Sequence, residues 1–350
     1  MTATAPIDPA IPLAQLTRGR ILSGMDENRV PMVSQILRII SDISGQSERM
    51  SVGDLVEFVD GEPTIMGRIL TIANSVGYNV GHVEIRSIHH AVSLIGFNRV
   101  RTLAVSILLL EGAHSQSVAQ ANRELAGMAL ISGLVAAEMC RRGVGPDADL
   151  GFICGALRNY GRMLAATFLP TEYAAATLAG RPGAEETFAA IFGLTSLELC
   201  HQIMADRLLP KTILNTLVAR TPEERRYCSA TATDTLSAAA DFGLRFAEML
   251  QGAELSRSNF ERRVEDLSRE YTVEFLLRRA EVRELVTEVI AVLECFRYRA
   301  GSFVGSIAVF RNLESLAAER VLPPTMEMAA APAPRNPAPP PPPTADSYEI

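Results

Sequence analysis

Apolar residues recur every three or four positions along most of the chain, the spacing that places them on one face of an α-helix. The pattern begins at Pro31, a residue suited to the first turn of a helix. Alternating runs typical of half-buried strands are nearly absent, so the sequence predicts an all-α fold. The predicted helices cover about 31–43, 51–60, 62–74, 86–95, 98–110, 118–142, 148–158, 160–168, 184–192, 195–208, 211–219, 228–251, 256–270, 273–299 and 302–319.

Two of these patterns indicate where a helix lies in the fold. The helix at 98–110 is apolar on most of its circumference, which favours a position in the middle of a domain. Between Val282 and Phe296 the apolar residues fall within an arc of about 160°, taking ~100° per residue. Because this stripe is wider than a two-stranded coiled-coil seam, we predict that the helix packs against two neighbours. A homodimer interface is the alternative.

Composition divides the chain into four segments. Residues 1–24 lack sustained periodicity and are predicted to form an extended arm. A helical domain is expected over residues 25–222, and Thr221-Pro222 separates it from a more charged helical extension at 223–322, predicted to pack onto the bundle as an appended layer. Residues 323–350 hold ten of the 20 prolines. This proline-rich tail has too little apolar material to offset chain entropy, so we expect it to be disordered and partly polyproline II.

Charge and cysteine content exclude some classes of partner and compartment. The formal net charge of −7 gives no global attraction to nucleic acid or to an anionic membrane surface. The five cysteines are odd in number, widely spaced and never form a C-x-x-C pair, which is typical of reduced thiols. No signal-peptide pattern is found, and the apolar runs are shorter than the ~18–20 residues that a membrane span needs. We therefore expect a soluble cytoplasmic protein.

Few residues offer catalytic or metal-binding chemistry. His89 and His90 are adjacent on a predicted helix and point about 100° apart, so they cannot ligate one ion together. His201 follows Glu198 by three residues, but no further ligand is apparent nearby. No nucleotide-binding glycine loop and no G-x-S-x-G motif is found in the sequence. The residues alone therefore predict a helical domain without a visible catalytic constellation.

One segment carries a more specific signal. Residues 62–75 read EPTIMGRILTIANS and are followed by Gly77 and Tyr78. They resemble the D-P-x-L-x-x-R-[LI]-L-x-x-A-N-S-x-x-[YF] signature of the HDOD (HD-related output domain) family. Residues 85–100, IRSIHHAVSLIGFNRV, and residues 155–164, GALRNYGRML, resemble later segments of that family. The matched positions are Pro63, Arg68, Asn74, Ser75, Gly96 and Gly161.

The resemblance also locates the metal ligands of the parent HD phosphohydrolases, and this chain has replaced them. Arg158 and Asn159 stand where those enzymes carry the His-Asp dyad. The positions identified as vacated metal-ligand positions are Gly127, Arg158, Asn159, Ser196, Arg220 and Thr221. An arginine places a permanent positive charge where a cation would sit, and glycine offers no ligand. The resemblance therefore implies an HD-like helix bundle with no catalytic residues, no metal and no cofactor.

A resemblance of this kind implies a non-catalytic signal-transduction output or scaffold module. It would act through protein-protein interaction with signalling proteins, as a monomer or homodimer, without binding nucleic acid or membrane. One alternative is a sensor that binds an anionic or nucleotide second messenger in the vacated pocket at Arg158, Asn159 and Ser196. Another is an atypical metal-dependent phosphohydrolase. For Arg158 itself, a helix-surface position or a structural ion pair competes with ligand binding. Asn74 is predicted to cap its helix, and Arg68 to join a packing or salt-bridge network.

Overall fold

The computed structural model describes residues 12–26, 51–60, 63–74, 83–112, 120–143, 147–179, 185–206, 209–226, 231–251, 256–271, 275–300 and 307–318. Within these ranges the chain forms α-helices and short 3₁₀ turns without a β-strand, which confirms the all-α prediction. The predicted helix at 31–43 and the proline-rich tail at 323–350 lie outside the described residues.

The helices of the first half are α1 Leu13–Asp26, α2 Val52–Asp60, α3 Pro63–Ala73, α4 Ile88–Ile95, α5 Phe97–Gly112, α6 Gln120–Arg142, α7 Ala148–Leu157, α8 Tyr160–Phe168 and α9 Pro170–Ala179. Those of the second half are α10 Glu185–Phe192, α11 Ser196–Asp206, α12 Lys211–Leu214, α13 Pro222–Arg226, α14 Ala232–Met249, α15 Arg257–Ser268, α16 Arg279–Ala300 and α17 Ala308–Ala318.

The N-terminal arm differs from its prediction, because α1 occupies most of its described part. Its weak periodicity hid the helix, which is held by contacts with distant parts of the chain. The Thr17 hydroxyl donates to the Phe192 carbonyl oxygen at 2.9 Å, and the Arg18 guanidinium pairs with the Asp206 carboxylate at 2.6 Å. Ile21 and Met25 are buried in the core. Tertiary docking therefore stabilises a helix that local sequence alone does not indicate.

Two glycines allow three central helices to pack closely: Gly155 of α7 and Gly243 of α14 both contact Ser132 of α6. We call this contact the glycine seam. A β-carbon on Gly155 would lie 2.5 Å from the Ser132 carbonyl oxygen, and one on Gly243 would lie 2.2 Å from the same oxygen. Any larger side chain would push these helices apart. The first long helix of the C-terminal extension, α14, therefore packs into the core of the bundle.

The extension continues to pack on the bundle through α16. Its buried apolar side chains are Val282, Leu285, Val286, Val289 and Leu293. The helix contacts α3, α6, α15 and α17, which is more than the two neighbours predicted from its stripe. A helix with that many neighbours is packed as a core helix within one chain.

No single helix in the described part of the chain is long and apolar enough to cross a bilayer, although α10 and α11, bent by 58° relative to each other, meet the length and composition criteria as a pair.

Candidate functional site

The end of α3 shows what the best-matched polar motif does. The Asn74 side-chain amide donates to the carbonyl oxygens of Leu70 at 2.8 Å and Ile85 at 2.7 Å, and its oxygen accepts from the Ile85 amide at 2.8 Å. Asn74 therefore caps its helix as predicted and also fixes the segment that leads into α4. Ser75 lies outside the described residues, and Pro63 begins α3.

Two further motif positions lie nearby. Gly96 ends α4 with a φ of +92°, a conformation that favours glycine. Arg68 lies half-buried on α3, and its predicted role in a packing or salt-bridge network stays a prediction. The motif positions therefore have a structural role: they cap α3 and form the connections from α3 to α4 and from α4 to α5.

Arg158 lies in the turn between α7 and α8 and is 2% exposed. Its guanidinium donates to the Thr216 carbonyl oxygen, to the Val218 carbonyl oxygen at 3.4 Å and to the Asp241 carboxylate at 2.8 Å. Asp241 belongs to α14 in the C-terminal extension. Of the roles considered for Arg158, the structure shows a buried ion pair.

The Asp241 carboxylate is shared with other groups of the extension. Its second oxygen accepts a hydrogen bond from the Tyr271 hydroxyl at 2.8 Å and lies 3.8 Å from Nε of Arg225. The pKa of Tyr271 is raised well above its ordinary value by burial and then by the neighbouring Asp241 carboxylate. Tyr271 therefore stays a neutral donor, and Arg158 and Tyr271 hold the carboxylate from two sides. An anionic ligand at Arg158 would have to displace Asp241.

Asn159 is completely buried beside Arg158, and its contact revises the interpretation of α6. Its side-chain nitrogen donates to the Ser132 hydroxyl oxygen at 3.0 Å, so Ser132 is the α6 residue that faces the dyad positions. Gly127 instead lies under α17, where a β-carbon would be 2.5 Å from Cγ2 of Ile307. The two are five residues apart, about 1.4 helical turns. Sequence matching located the helix but not the facing residue.

Ser196, at the start of α11, serves a second ionic network. Its hydroxyl donates to Oε1 of Glu185 at 2.7 Å, and its amide donates to Oε2 of the same residue at 2.7 Å. The buried Arg162 guanidinium lies 2.6 Å from Glu185 and 2.9 Å from Glu248. Burial acts to lower the pKa of Arg162, but the two carboxylates raise it, so this guanidinium stays charged. The hydroxyl of Ser196 is thus engaged in packing α11 against α10.

Gly161 explains why α8 and α11 can pack so closely. A β-carbon at this position would lie 1.8 Å from the Ser196 carbonyl oxygen. The family-matched glycine is therefore required by packing between two backbones.

The remaining two positions have ordinary structural partners. The Arg220 guanidinium donates to Asp234 at 2.8 Å. The Thr221 hydroxyl accepts from the Glu224 amide, while the Thr221 amide donates to the Glu224 carboxylate at 2.7 Å, a reciprocal cap at the start of α13.

A divalent metal, which the parent hydrolase fold would imply, does not fit these residues. Arg158 has no lone pair to donate, and the hydroxyls of Ser132 and Ser196 are neutral. Oδ1 of Asn159 has no hydrogen-bond partner among the described residues, but one amide oxygen beside a guanidinium is a poor cation site. Across the described ranges no group of three or more His, Cys, Asp or Glu side chains could hold a metal ion.

The pair Glu198 and His201 is also accounted for. The Glu198 carboxylate accepts from the Thr195 amide at 2.8 Å and from its hydroxyl at 2.9 Å. This acid caps the start of α11 and is not directed at the histidine.

Comparison with protein families gives a match to the HDOD domain over residues 30–221. No curated protein sequence matches the chain significantly. Several solved structures share the fold. An HDOD domain protein of unknown function from Geobacter sulfurreducens is 16% identical, with a TM-score of 0.58 over 81% of this chain and 99% of that chain.

Two other structures are similar at the same level. A candidate phosphohydrolase from Shewanella amazonensis SB2B is 14% identical, with a TM-score of 0.52 over 85% of this chain and 98% of that chain. A candidate signal transduction protein from Marinobacter aquaeolei VT8 is 17% identical, with a TM-score of 0.53 over 82% of this chain and 66% of that chain. At these identities the likeness establishes the fold alone.

Proposed function

Because the chain belongs to the HDOD domain family, we propose that it is a non-catalytic signal-transduction module that acts by binding other signalling proteins. The structural relatives include both a candidate signal transduction protein and a candidate phosphohydrolase, so the family alone does not choose between these functions. The choice rests on the residues at the dyad positions.

The buried pair of Arg158 and Asp241 is the observation that carries the proposal. A guanidinium with 2% exposure occupies the first dyad position, and a carboxylate of the same chain neutralises it at 2.8 Å. Adding a divalent cation there would place it beside a guanidinium at low dielectric, which is strongly unfavourable. The paired guanidinium therefore supports a site without the bound cation that would activate a water molecule.

The other vacated positions support the same proposal. Gly127 lies beneath Ile307, Ser196 hydrogen-bonds to Glu185, and Thr221 caps α13. Each has a packing or capping role that hydrolysis does not need. A close-packed helical body with its polar groups committed in this way can present its outer surface to a partner without large rearrangement.

The first experiment tests the absence of catalysis. The full chain, purified without chelators, is analysed for bound metals and then assayed with added Mn²⁺ on cyclic dinucleotides and on bis(p-nitrophenyl) phosphate. We expect well below one ion per chain and no hydrolysis above the buffer control. One or two tightly bound ions per chain, with activity that chelation removes, would refute the proposal.

The second experiment tests partner binding. The tagged chain is used to capture proteins from cells that express it natively, with and without residues 323–350, and each captured protein is then purified and titrated against the chain. We expect at least one purified signalling protein to bind saturably. If no captured protein binds the purified chain directly, the interaction part of the proposal fails.

A further inference from the structure

A cleft separate from the dyad positions lies where the family-matched helices meet the C-terminal extension. It has a volume of about 370 Å³. Its walls come from α5, α6 and α7 on one side and from α16 on the other. That volume lies in the range of small-molecule sites, which commonly form between packed helices.

One part of the cleft wall is apolar. Its walls include Leu134 and Ala137 of α6, Phe152 of α7, and Val289 and Val292 of α16. Phe152 is fully buried beneath this wall, whereas Val292 is half-buried and accessible to a ligand. These side chains would favour an apolar or aromatic body in the ligand.

Most charged groups around the cleft are already paired. Both oxygens of Glu138 accept hydrogen bonds, one from Arg141 at 2.7 Å and the other from Arg142 at 2.9 Å. Arg142 also donates to Glu288 at 2.9 Å. These groups therefore neutralise one another and do not call for a charged ligand.

Asp149 differs from these groups. One of its oxygens accepts from the Thr102 hydroxyl at 2.9 Å, and the described residues place no arginine or lysine nitrogen within ion-pair distance of it. Burial raises the pKa of Asp149, although the field of Arg101 acts in the opposite direction. Arg101 is itself buried against the Phe97 ring, 5.6 Å from its centroid. Its field favours the ionised carboxylate without supplying a direct partner.

Depth distinguishes this carboxylate from the remaining lining charge. Arg99 lines the same cleft but is exposed at its rim, where solvent screens it. The unpaired charge beside the apolar wall is thus negative.

We propose that this cleft binds a small ligand with an apolar or aromatic body and a primary ammonium group, the ammonium pairing with Asp149. Thr102 orients the carboxylate, while the half-buried Val292 contacts the apolar body. The ligand contacts both the family domain and α16, so its binding stabilises their contact. This inference does not depend on the proposed scaffold function.

The ligand class is tested by calorimetric titration of the full-length chain with four compounds of one ring size. Phenethylamine carries the ammonium alone, and phenylalanine adds a carboxylate. Phenethyl alcohol and phenylpropionate are the neutral and anionic comparisons. We expect one saturable site for phenethylamine, with the neutral and anionic compounds at least about tenfold weaker, because they lose a charge-assisted hydrogen bond. Phenylalanine distinguishes the two kinds of ligand that carry this ammonium group. If it binds as tightly as phenethylamine or more tightly, the ligand is an amino acid; if it binds more weakly, the ligand is a simple amine.

Two variants locate the site. Asp149→Asn removes the charge, and Val292→Phe fills the cleft from the half-buried side of α16, so each should weaken phenethylamine binding about tenfold or more. Asp266→Asn on α15 and the exposed Val218→Phe are the matched controls and should bind as the unmodified chain does. Circular dichroism checks that all four variants are folded.

Three results would overturn the inference. The first is the absence of saturable binding by both amines. The second is equal binding of the neutral alcohol, which would remove the role of the carboxylate. The third is unchanged binding by folded Asp149→Asn and Val292→Phe, which would place the site elsewhere.

Discussion

Replacing Asp241 by Leu should destabilise the chain more than the loss of an ordinary ion pair does. Arg158 and Asp241 are 2% and 6% exposed, so the substitution leaves a guanidinium buried without its counter-charge. Breaking a buried pair in this way costs about 3–5 kcal/mol. Tyr271 also loses the acceptor of its hydroxyl. The expected loss is a large part of a total stability of ~5–15 kcal/mol.

The double substitution Arg158→Met with Asp241→Leu should recover part of that loss. An apolar pair of similar volume leaves no uncompensated charge, and such replacements are often neutral or stabilising. The orphaned Tyr271 hydroxyl still costs about 1–3 kcal/mol. The coupling free energy between the two sites should therefore exceed ~1 kcal/mol.

Urea denaturation followed by circular dichroism measures each free energy of unfolding. The half-exposed pair of Arg18 and Asp206 is the control, and Asp206→Ala should cost no more than about 1 kcal/mol. If Asp241→Leu costs no more than this control, or if the double variant loses the sum of both single losses, the pair is not the neutralised buried unit that the structure indicates.

Three further predictions test packing and burial. Leu285→Ala on α16 should cost about 2–5 kcal/mol within a single unfolding transition whose midpoint is independent of protein concentration; two transitions or a concentration dependence would indicate a separate domain or a dimer interface. Gly161→Ala should unfold or strongly destabilise the chain, because the new β-carbon would meet the Ser196 carbonyl. The control Gly67→Ala lies on open helix surface and should stabilise the chain by about 0.5–1 kcal/mol. Equal melting temperatures of the two variants would contradict this prediction. Burial raises the pKa of Cys154 and Cys200 to about 12. The contribution of these thiols to stability is therefore complete below the unfolded pKa near 9 and is lost as the pH rises toward 12, which denaturation at several alkaline pH values should show as falling stability. Alkylation at pH 8, mapped by mass spectrometry, should label neither thiol in the native chain.

Sequence periodicity predicted most helices because their burial is one-sided. The segment at 51–60 illustrates this: a helix is found over the predicted residues, and Ser51 and Asp54 form a reciprocal cap at its start. α1, α9 and the five-residue α13 were missed. Periodicity within α1 is weak, and contacts such as Thr17 with Phe192, 175 residues apart, stabilise it. Local patterns carry no information about such partners.

In the candidate site too, the sequence located the positions but not their long-range partners. The motif match found the dyad positions at Arg158 and Asn159, because they adjoin a recognisable segment. Asp241 lies 83 residues beyond Arg158 and outside the matched region, so no local signal connected the two. The sequence also did not determine which residue of α6 faces the dyad positions, and the contact between Asn159 and Ser132 identifies it. Long-range pairing therefore decided the interpretation of a site that the sequence could only locate.

The glycine seam has a consequence for modularity. The family match ends at residue 221, yet Gly243 packs on the backbone of Ser132 inside the matched region. A fragment cut at the family boundary would lose α14 and expose the apolar faces of α6 and α7 to water. The unit that homology recognises is therefore smaller than the unit that folds, and recombination at that boundary would transfer an incomplete core.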